Sequence, residues 1–335
     1  MARPVPWRQV VLSVGVTGVT LWRVPFASLR AAFRNLELRS LLLALFCILV
    51  LFVLRAYKWH CLMTAAGKPR LRQSLRTLLG GFALGLITPG RLGELGRCLF
   101  VRKNERTEVA LLTILDRALD VWALLTLVGA SLFLLVPHPA AIFGVAVWLA
   151  LLPVLLGFPG LLAHLSKVMR RSRHFHGHLA EVAAAVPPAQ MPRYAIMAVG
   201  AMWAELASFF FLLRAFFPTG FTTAVATYPY IVLAGDLPFS FSGVGVREGA
   251  AAWLLSPYAV PSGAAVDAAL LWFVFAILFP AVLGIAWLVI EKLKPRTRYS
   301  DAQAPHLDHT WRPLDATQPH IPLPEDSAAP PCEAG

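Results

Sequence analysis

From Ala268 to Ile290 the chain runs without a single charged side chain. A helix needs about 20 apolar residues to cross the hydrocarbon core of a bilayer. Other long apolar stretches follow the pattern closely: Leu41 to Leu54 between Arg39 and Arg55, Leu111 to Val136 apart from Asp116, Arg117 and Asp120, Ala140 to Ala163, and Tyr194 to Leu213 with one acid, Glu205. Composition agrees, with 58% hydrophobic and 14% charged residues among 335. Soluble domains carry about 25% charge. Lipid must therefore be the solvent for most of the chain, which excludes a soluble enzyme.

A shorter apolar run, Val10 to Trp22, is expected to be an uncleaved first helix, because Arg23 and Pro25 follow it without a cleavage signature. That makes six full spans. Arg39 and Arg55 are expected to snorkel from the ends of the second, and Pro280 to kink the last. Two further apolar stretches differ. Thr77 to Gly90 is short and glycine-rich; Phe221 to Leu237 is expected to be broken at Pro229. Each precedes a Gly-rich charged turn and a second short helix, Leu92 to Val101 and Gly249 to Leu255. Irregular backbone at membrane depth survives where protein or a cavity surrounds it, so both read as re-entrant hairpins. The expected fold is an all-α polytopic membrane protein, an inverted repeat of six full spans and two re-entrant helical hairpins.

The formal net charge is +12. Lys167, Arg170, Arg171 and Arg173, and again Lys292, Lys294, Arg296 and Arg298, place two loops in the cytoplasm. The first hairpin then enters from the cytoplasm and the second from outside. Arg23, Arg30, Arg34 and Arg39 fall in a loop placed outside, read as an interfacial helix over Pro25 to Leu36. The expected location is the plasma (inner) membrane, with a cytoplasmic C-terminus. No basic face is interleaved with aromatics on a soluble module, so nucleic acid is not an expected partner. Residues 1–294 form the membrane domain; 295–335, with eight prolines and six acids, are expected to be a disordered tail.

The hairpins carry Pro89-Gly90-Arg91-Leu92-Gly93-Glu94-Leu95-Gly96-Arg97 and Ser240-Phe241-Ser242-Gly243-Val244-Gly245-Val246-Arg247-Glu248-Gly249. Each sets a small, kinked turn ahead of an Arg/Glu pair at a helix start. Helix N-termini and glycine backbones accept anions, and arginine adds bidentate geometry. Arg91, Glu94, Arg97, Arg247 and Glu248, with Gly90, Gly93, Gly243 and Gly245, are thus candidate headgroup contacts. The alternative is that Arg and Glu pair to lock the hairpins. Asp116, Arg117 and Asp120 occupy one span, with Asp116 and Asp120 on one face. With Glu205 and Asp236 they are candidates for a charge network or a coupling route. Charges facing lipid at the midplane cost about 2.5–3.5 kcal/mol apiece, so these groups must face one another or water. His174, His176 and His178 lack acidic or thiol partners, and four cysteines show no CxxC pairing. No cofactor or metal is expected, nor a catalytic motif.

Leu54-Arg55-Ala56-Tyr57-Lys58-Trp59, Thr88 to Arg97, Asp116-Arg117-Ala118-Leu119-Asp120 and Gly243 to Gly249 resemble, in order, the blocks of the lysylphosphatidylglycerol synthase transmembrane, or flippase-like, family. The family often has Glu-Arg at Asp116-Arg117 and Leu-Pro-Gly-Arg at Thr88 to Arg91. The resemblance implies a lipid translocase fold with paired hairpins. Its best-known members move an aminoacylated phospholipid to the outer leaflet, and archaeal relatives are linked to lipid-carried glycans. Aminoacyl transfer belongs to a soluble C-terminal domain of bifunctional members, so synthase activity is expected to be absent. The expected function is flipping a polar or anionic lipid or lipid-linked molecule, with membrane lipids as partners and homo-oligomers or a partner protein left open. A membrane-embedded transferase and a non-transporting partner subunit are the alternatives.

Overall fold

The computed structural model describes residues 37–88, 92–135, 182–236 and 243–293, with isolated positions 142, 160 and 164. The expected first helix, the interfacial segment Pro25 to Leu36, most of the span Ala140 to Ala163, the histidine loop and the tail lie outside the described residues. So do Gly90 and Arg91.

The described residues are helical and contain no strand. In chain order they form α1 (Leu38–Ala65), α2 (Leu71–Leu86), a 3-10 segment (Leu92–Phe100), α3 (Arg106–Leu135), α4 (Met191–Phe216), α5 (Phe221–Asp236), α6 (Val246–Leu255), α7 (Ser262–Phe273), a π turn (Val274–Leu278) and α8 (Phe279–Leu293). Four helical stretches are long and apolar enough to cross a membrane: Leu38–Ala65, Lys103–Leu135, Pro188–Phe216 and Ser262–Glu291. They coincide with four of the expected spans.

In α1 the residue spacing assigns one face to lipid and one to protein. Leu38, Leu42, Phe46, Leu49 and Val53 recur every three or four residues and are exposed. Ala44, Ile48, Leu51, Arg55, Lys58 and Leu62 form the opposite stripe and are buried. Both faces are largely apolar, so what separates them is packing plus the two cations. This corrects the expected snorkelling at Arg55. The helix does not end there but continues to Ala65, and the 3.6-residue period turns Arg55 inward.

Helix α1 packs most extensively on α4. The pair is antiparallel: the Glu37 N–H donates to the Ala215 carbonyl (3.2 Å) at one end, and Arg193 Nη2 donates to the Tyr57 hydroxyl (2.8 Å) at the other. Helix α2 packs on α8 and on the 3-10 segment, while α5 packs on α3 and α6.

Two prolines behave differently from one another. Helix α5 continues unbroken through Pro229, against the expected break. Pro229 is buried among neighbouring helices, and such packing can offset the missing N–H in a membrane helix. Pro280 has a local effect, because the π turn Val274–Leu278 lies directly before it. The proline ring crowds the carbonyl four residues back, and widening the helix there relieves the clash.

Candidate functional site: a balanced ion network beside an intramembrane cavity

Three cations and three carboxylates meet where α1, the 3-10 segment and α3 converge. Asp116 is the centre. Its Oδ1 lies 2.9 Å from Lys58 Nζ and its Oδ2 2.7 Å from Arg97 Nη1. Lys58 also pairs with Asp120. Arg117 spreads over three acids, at 2.9 Å from Glu94, 2.8 Å from Asp120 and 3.3 Å from Asp116. The spacing of Asp116, Arg117 and Asp120 on α3 makes this possible, since positions i and i+4 stack on one face and i+1 lies beside them.

Arg97 is fully buried. Its guanidinium lies 4.6 Å from the centroid of the Trp59 ring, whose N–H donates to Thr77 Oγ1 (2.8 Å). A cation over a desolvated indole face contributes about 2 kcal/mol. Glycine makes room for the charged side chains of the 3-10 segment: a Cβ at Gly81 would sit 2.7 Å from Arg97 Cγ, and one at Gly85 2.8 Å from Glu94 Cγ. At Gly93 a Cβ would collide with the Leu84 carbonyl, and the Gly93 N–H donates to Thr88 Oγ1 (2.6 Å).

A second ion pair lies between α1 and α4. Arg55 Nη2 is 2.5 Å from Glu205 Oε2, and the Tyr228 hydroxyl on α5 donates to Glu205 Oε1 (3.0 Å). Across the two groups, Arg55, Lys58, Arg97 and Arg117 face Glu94, Asp116, Asp120 and Glu205, so the formal charges cancel. Balance is what permits them at membrane depth, because a buried charge without its partner is strongly destabilising.

The second glycine motif has a different geometry. Helix α6 begins at Val246, earlier than the expected Gly249, so Arg247 and Glu248 sit inside its first turn. Glu248 Oε2 accepts the Gly245 N–H (2.6 Å), capping the helix. Gly243 and Gly245 have φ of 79° and 87°, the left-handed region that glycine enters without strain. Arg247 is buried, with its Cζ 5.0 Å from the Trp272 ring centroid. A Cβ at Gly235 would fall 2.8 Å from its Nε. Each glycine motif thus seats an arginine between a glycine backbone and a tryptophan face.

A cavity of about 280 Å³ joins these parts. Arg55, Arg117, Asp120, Glu205, Asp236 and Arg247 supply its charged lining, contributed by α1, α3, α4, α5 and α6. Leu95 reaches it from the 3-10 segment and Trp272 from α7. Of the ionisable site candidates read from the sequence that lie among the described residues, all but Glu248, which caps α6, belong either to the network or to this cavity. Arg97, Asp116 and Glu94 are in the network interior. Arg117, whose side chain is 27% exposed, and Asp236, which is exposed, look into the open volume. Among the described residues no group of three or more His, Cys, Asp or Glu is placed to hold a metal.

Sequence reasoning passed over Arg55 and Lys58 as site residues, and Tyr228 and Trp272 as their supports. The signal for the two cations was present, because they continue the stripe of Leu51 and Leu62 at three- and four-residue spacing.

Fold and site together define a multi-pass helical membrane protein with a charge-balanced polar interior. The sequence profile of the lysylphosphatidylglycerol synthase TM region matches residues 7–284. The chain belongs to that family, a membrane domain associated with lipid modification or transport. No curated protein and no solved structure matches it.

Proposed function

We propose that this protein moves a polar or anionic phospholipid, or a lipid-linked molecule, between the leaflets of the plasma membrane, with the headgroup passing through the 280 Å³ cavity. The observation that carries this reading is a cavity at membrane depth lined by three arginines and three carboxylates. A headgroup needs such a polar route, while its acyl chains stay in lipid. The network is neutral, so an incoming phosphate is held by exchange. It takes the fork of Arg117 from one of its carboxylates, with Arg247 on the facing wall. Arg97 braces Asp116 from inside, and Glu205 and Asp120 balance the cations once the phosphate has left.

The path of the chain supports paired re-entrant hairpins of opposite orientation. Helix α2 starts and the 3-10 segment ends beside one cavity, which Arg70, Arg72, Leu99 and Arg102 line together. That end is rich in Lys and Arg, so we place it in the cytoplasm. Helix α5 starts near the opposite end, where Phe221 meets Phe210 of α4 with centroids 5.2 Å apart. The spans expected at Val10 to Trp22 and Ala140 to Ala163 lie outside the described residues; on this reading they bring the crossings to six and leave the C-terminus cytoplasmic. The reading is transport, without aminoacyl transfer.

The test is movement of headgroup-labelled lipids in proteoliposomes across a panel of lipid classes, with and without a pH gradient. Movement of one class, slowed about tenfold or more in Arg117→Gln and in Arg247→Gln, is the expected result. Absence of movement in folded wild-type protein under both conditions would instead favour a partner-dependent subunit or a transferase.

A further inference from the structure

A second, larger cavity of about 760 Å³ opens at the end of the molecule where α1 finishes and α3 begins. Its volume lies within the range of about 300–1,000 Å³ typical of ligand sites. Five cations line it, Lys68, Arg70, Arg72, Arg76 and Arg102, against two acids, Glu105 and Glu291. Two cations are engaged: Lys68 pairs with Glu108, and Arg76 Nε lies 3.0 Å from Glu291. Glu105 accepts from Gln73 Nε2 (3.3 Å). Arg70, Arg72 and Arg102 are exposed and form no ion pair among the described residues. Helix α2 opens at this wall, adding the positive end of its dipole. Leu99 and Phe100 supply an apolar wall on the neighbouring segment.

This differs from the central cavity in one decisive respect. There each cation has its carboxylate or is buried under an aromatic ring; here three exposed arginines line one open cavity without an ion-pair partner among the described residues. We infer that this cavity is a separate binding site for a phosphate-bearing anion, held by Arg70, Arg72 and Arg102 with the α2 N-terminus behind them. The anion is a phospholipid headgroup of the adjoining leaflet or a free phosphate compound, because both present the same oxygens. The inference stands apart from the transport reading, since it rests on none of the central residues.

The experiment uses full-length protein in uncharged detergent, titrated with short-chain phosphatidylglycerol, inorganic phosphate and short-chain phosphatidylcholine. Saturable binding of an anion, weaker at higher salt, is expected. Affinity should fall about tenfold or more in the triple variant Arg70→Gln, Arg72→Gln, Arg102→Gln, given the contribution of each surface cation to an anionic headgroup. The matching triple Lys variant should retain binding, and it reports the site even if the Gln variant folds poorly. Tighter phosphatidylglycerol than phosphate assigns a lipid occupant; the reverse assigns a soluble one. Three results would overturn the site: no anion binding to wild type, equal binding to wild type and the Gln variant, or phosphatidylcholine binding as tightly as phosphatidylglycerol.

Discussion

Arg97 and Arg117 both touch Asp116 and Glu94, yet the two arginines should answer mutation differently. Arg97 is enclosed, so Arg97→Gln leaves two buried carboxylates short of a cation. Such a loss costs about 3–5 kcal/mol, and the variant should show a large drop in thermal midpoint in detergent. Arg117 faces the cavity with 27% of its side chain exposed, where water can compensate. Arg117→Gln should keep most of the thermal midpoint while lowering the initial rate of lipid movement about ten- to a hundredfold, the worth of a hydrogen bond to a charged group. A reversed order, with Arg117→Gln unfolding the protein and Arg97→Gln harmless, would mean that the roles are misassigned. Asp116, Arg117, Asp120 and Glu205 were legible in the sequence because a charge inside an apolar run is conspicuous. Arg55 and Lys58 were not, because they follow such a run and read as its boundary. Hydropathy marks where lipid-facing residues end, whereas the helix itself continues three turns further to Ala65.

At the level of elements, close approach of backbones sets the limits. The 3-10 segment lies so near α2 that a Cβ at Gly93 would strike the Leu84 carbonyl, which cannot swing aside as a side chain could. Gly93→Ala should therefore destabilise by about 1–3 kcal/mol, the usual range for overpacking. Gly129 in α3 has open space around the same position. Gly129→Ala should stabilise by about 0.5–1 kcal/mol, since alanine loses less backbone freedom in a helix. Thermal midpoints of the two variants check the pair, and equal shifts would contradict the packing described. The glycine-rich spacing was a readable sign of short, closely packed helices. The 3-10 winding of Leu92–Phe100 and the continuity of α5 through Pro229 were not. Both depend on neighbours that a local pattern does not specify: α2 against the first, and the helices around Pro229 against the second.

For the molecule as far as the described residues go, the organising fact is that the polar interior is neutral while the end around the larger cavity is basic. Four cations offset four acids across the network and the Arg55–Glu205 pair, whereas five cations face two acids in the cavity that holds Arg70, Arg72 and Arg102. A neutral interior means that a headgroup is bound by exchange of partners and not by long-range attraction, so lipid movement should depend only weakly on ionic strength at saturating substrate. Initial rates at low and high salt would show this, and a steep loss with salt would contradict it. Four of the spans and the family were legible from the long apolar runs and the four motif blocks. The cavity was not, because it is built from residues far apart in the chain, such as Arg55 with Glu205 and Leu95 with Val232. The central claim is that the headgroup passes through that cavity. Its most direct test places a single cysteine at Leu95, in protein whose native cysteines are replaced by alanine, and loads it with a bulky, reducible thiol reagent. The expected result is lipid movement that stops on loading and returns on reduction. Undiminished movement with the cysteine fully loaded would contradict the account.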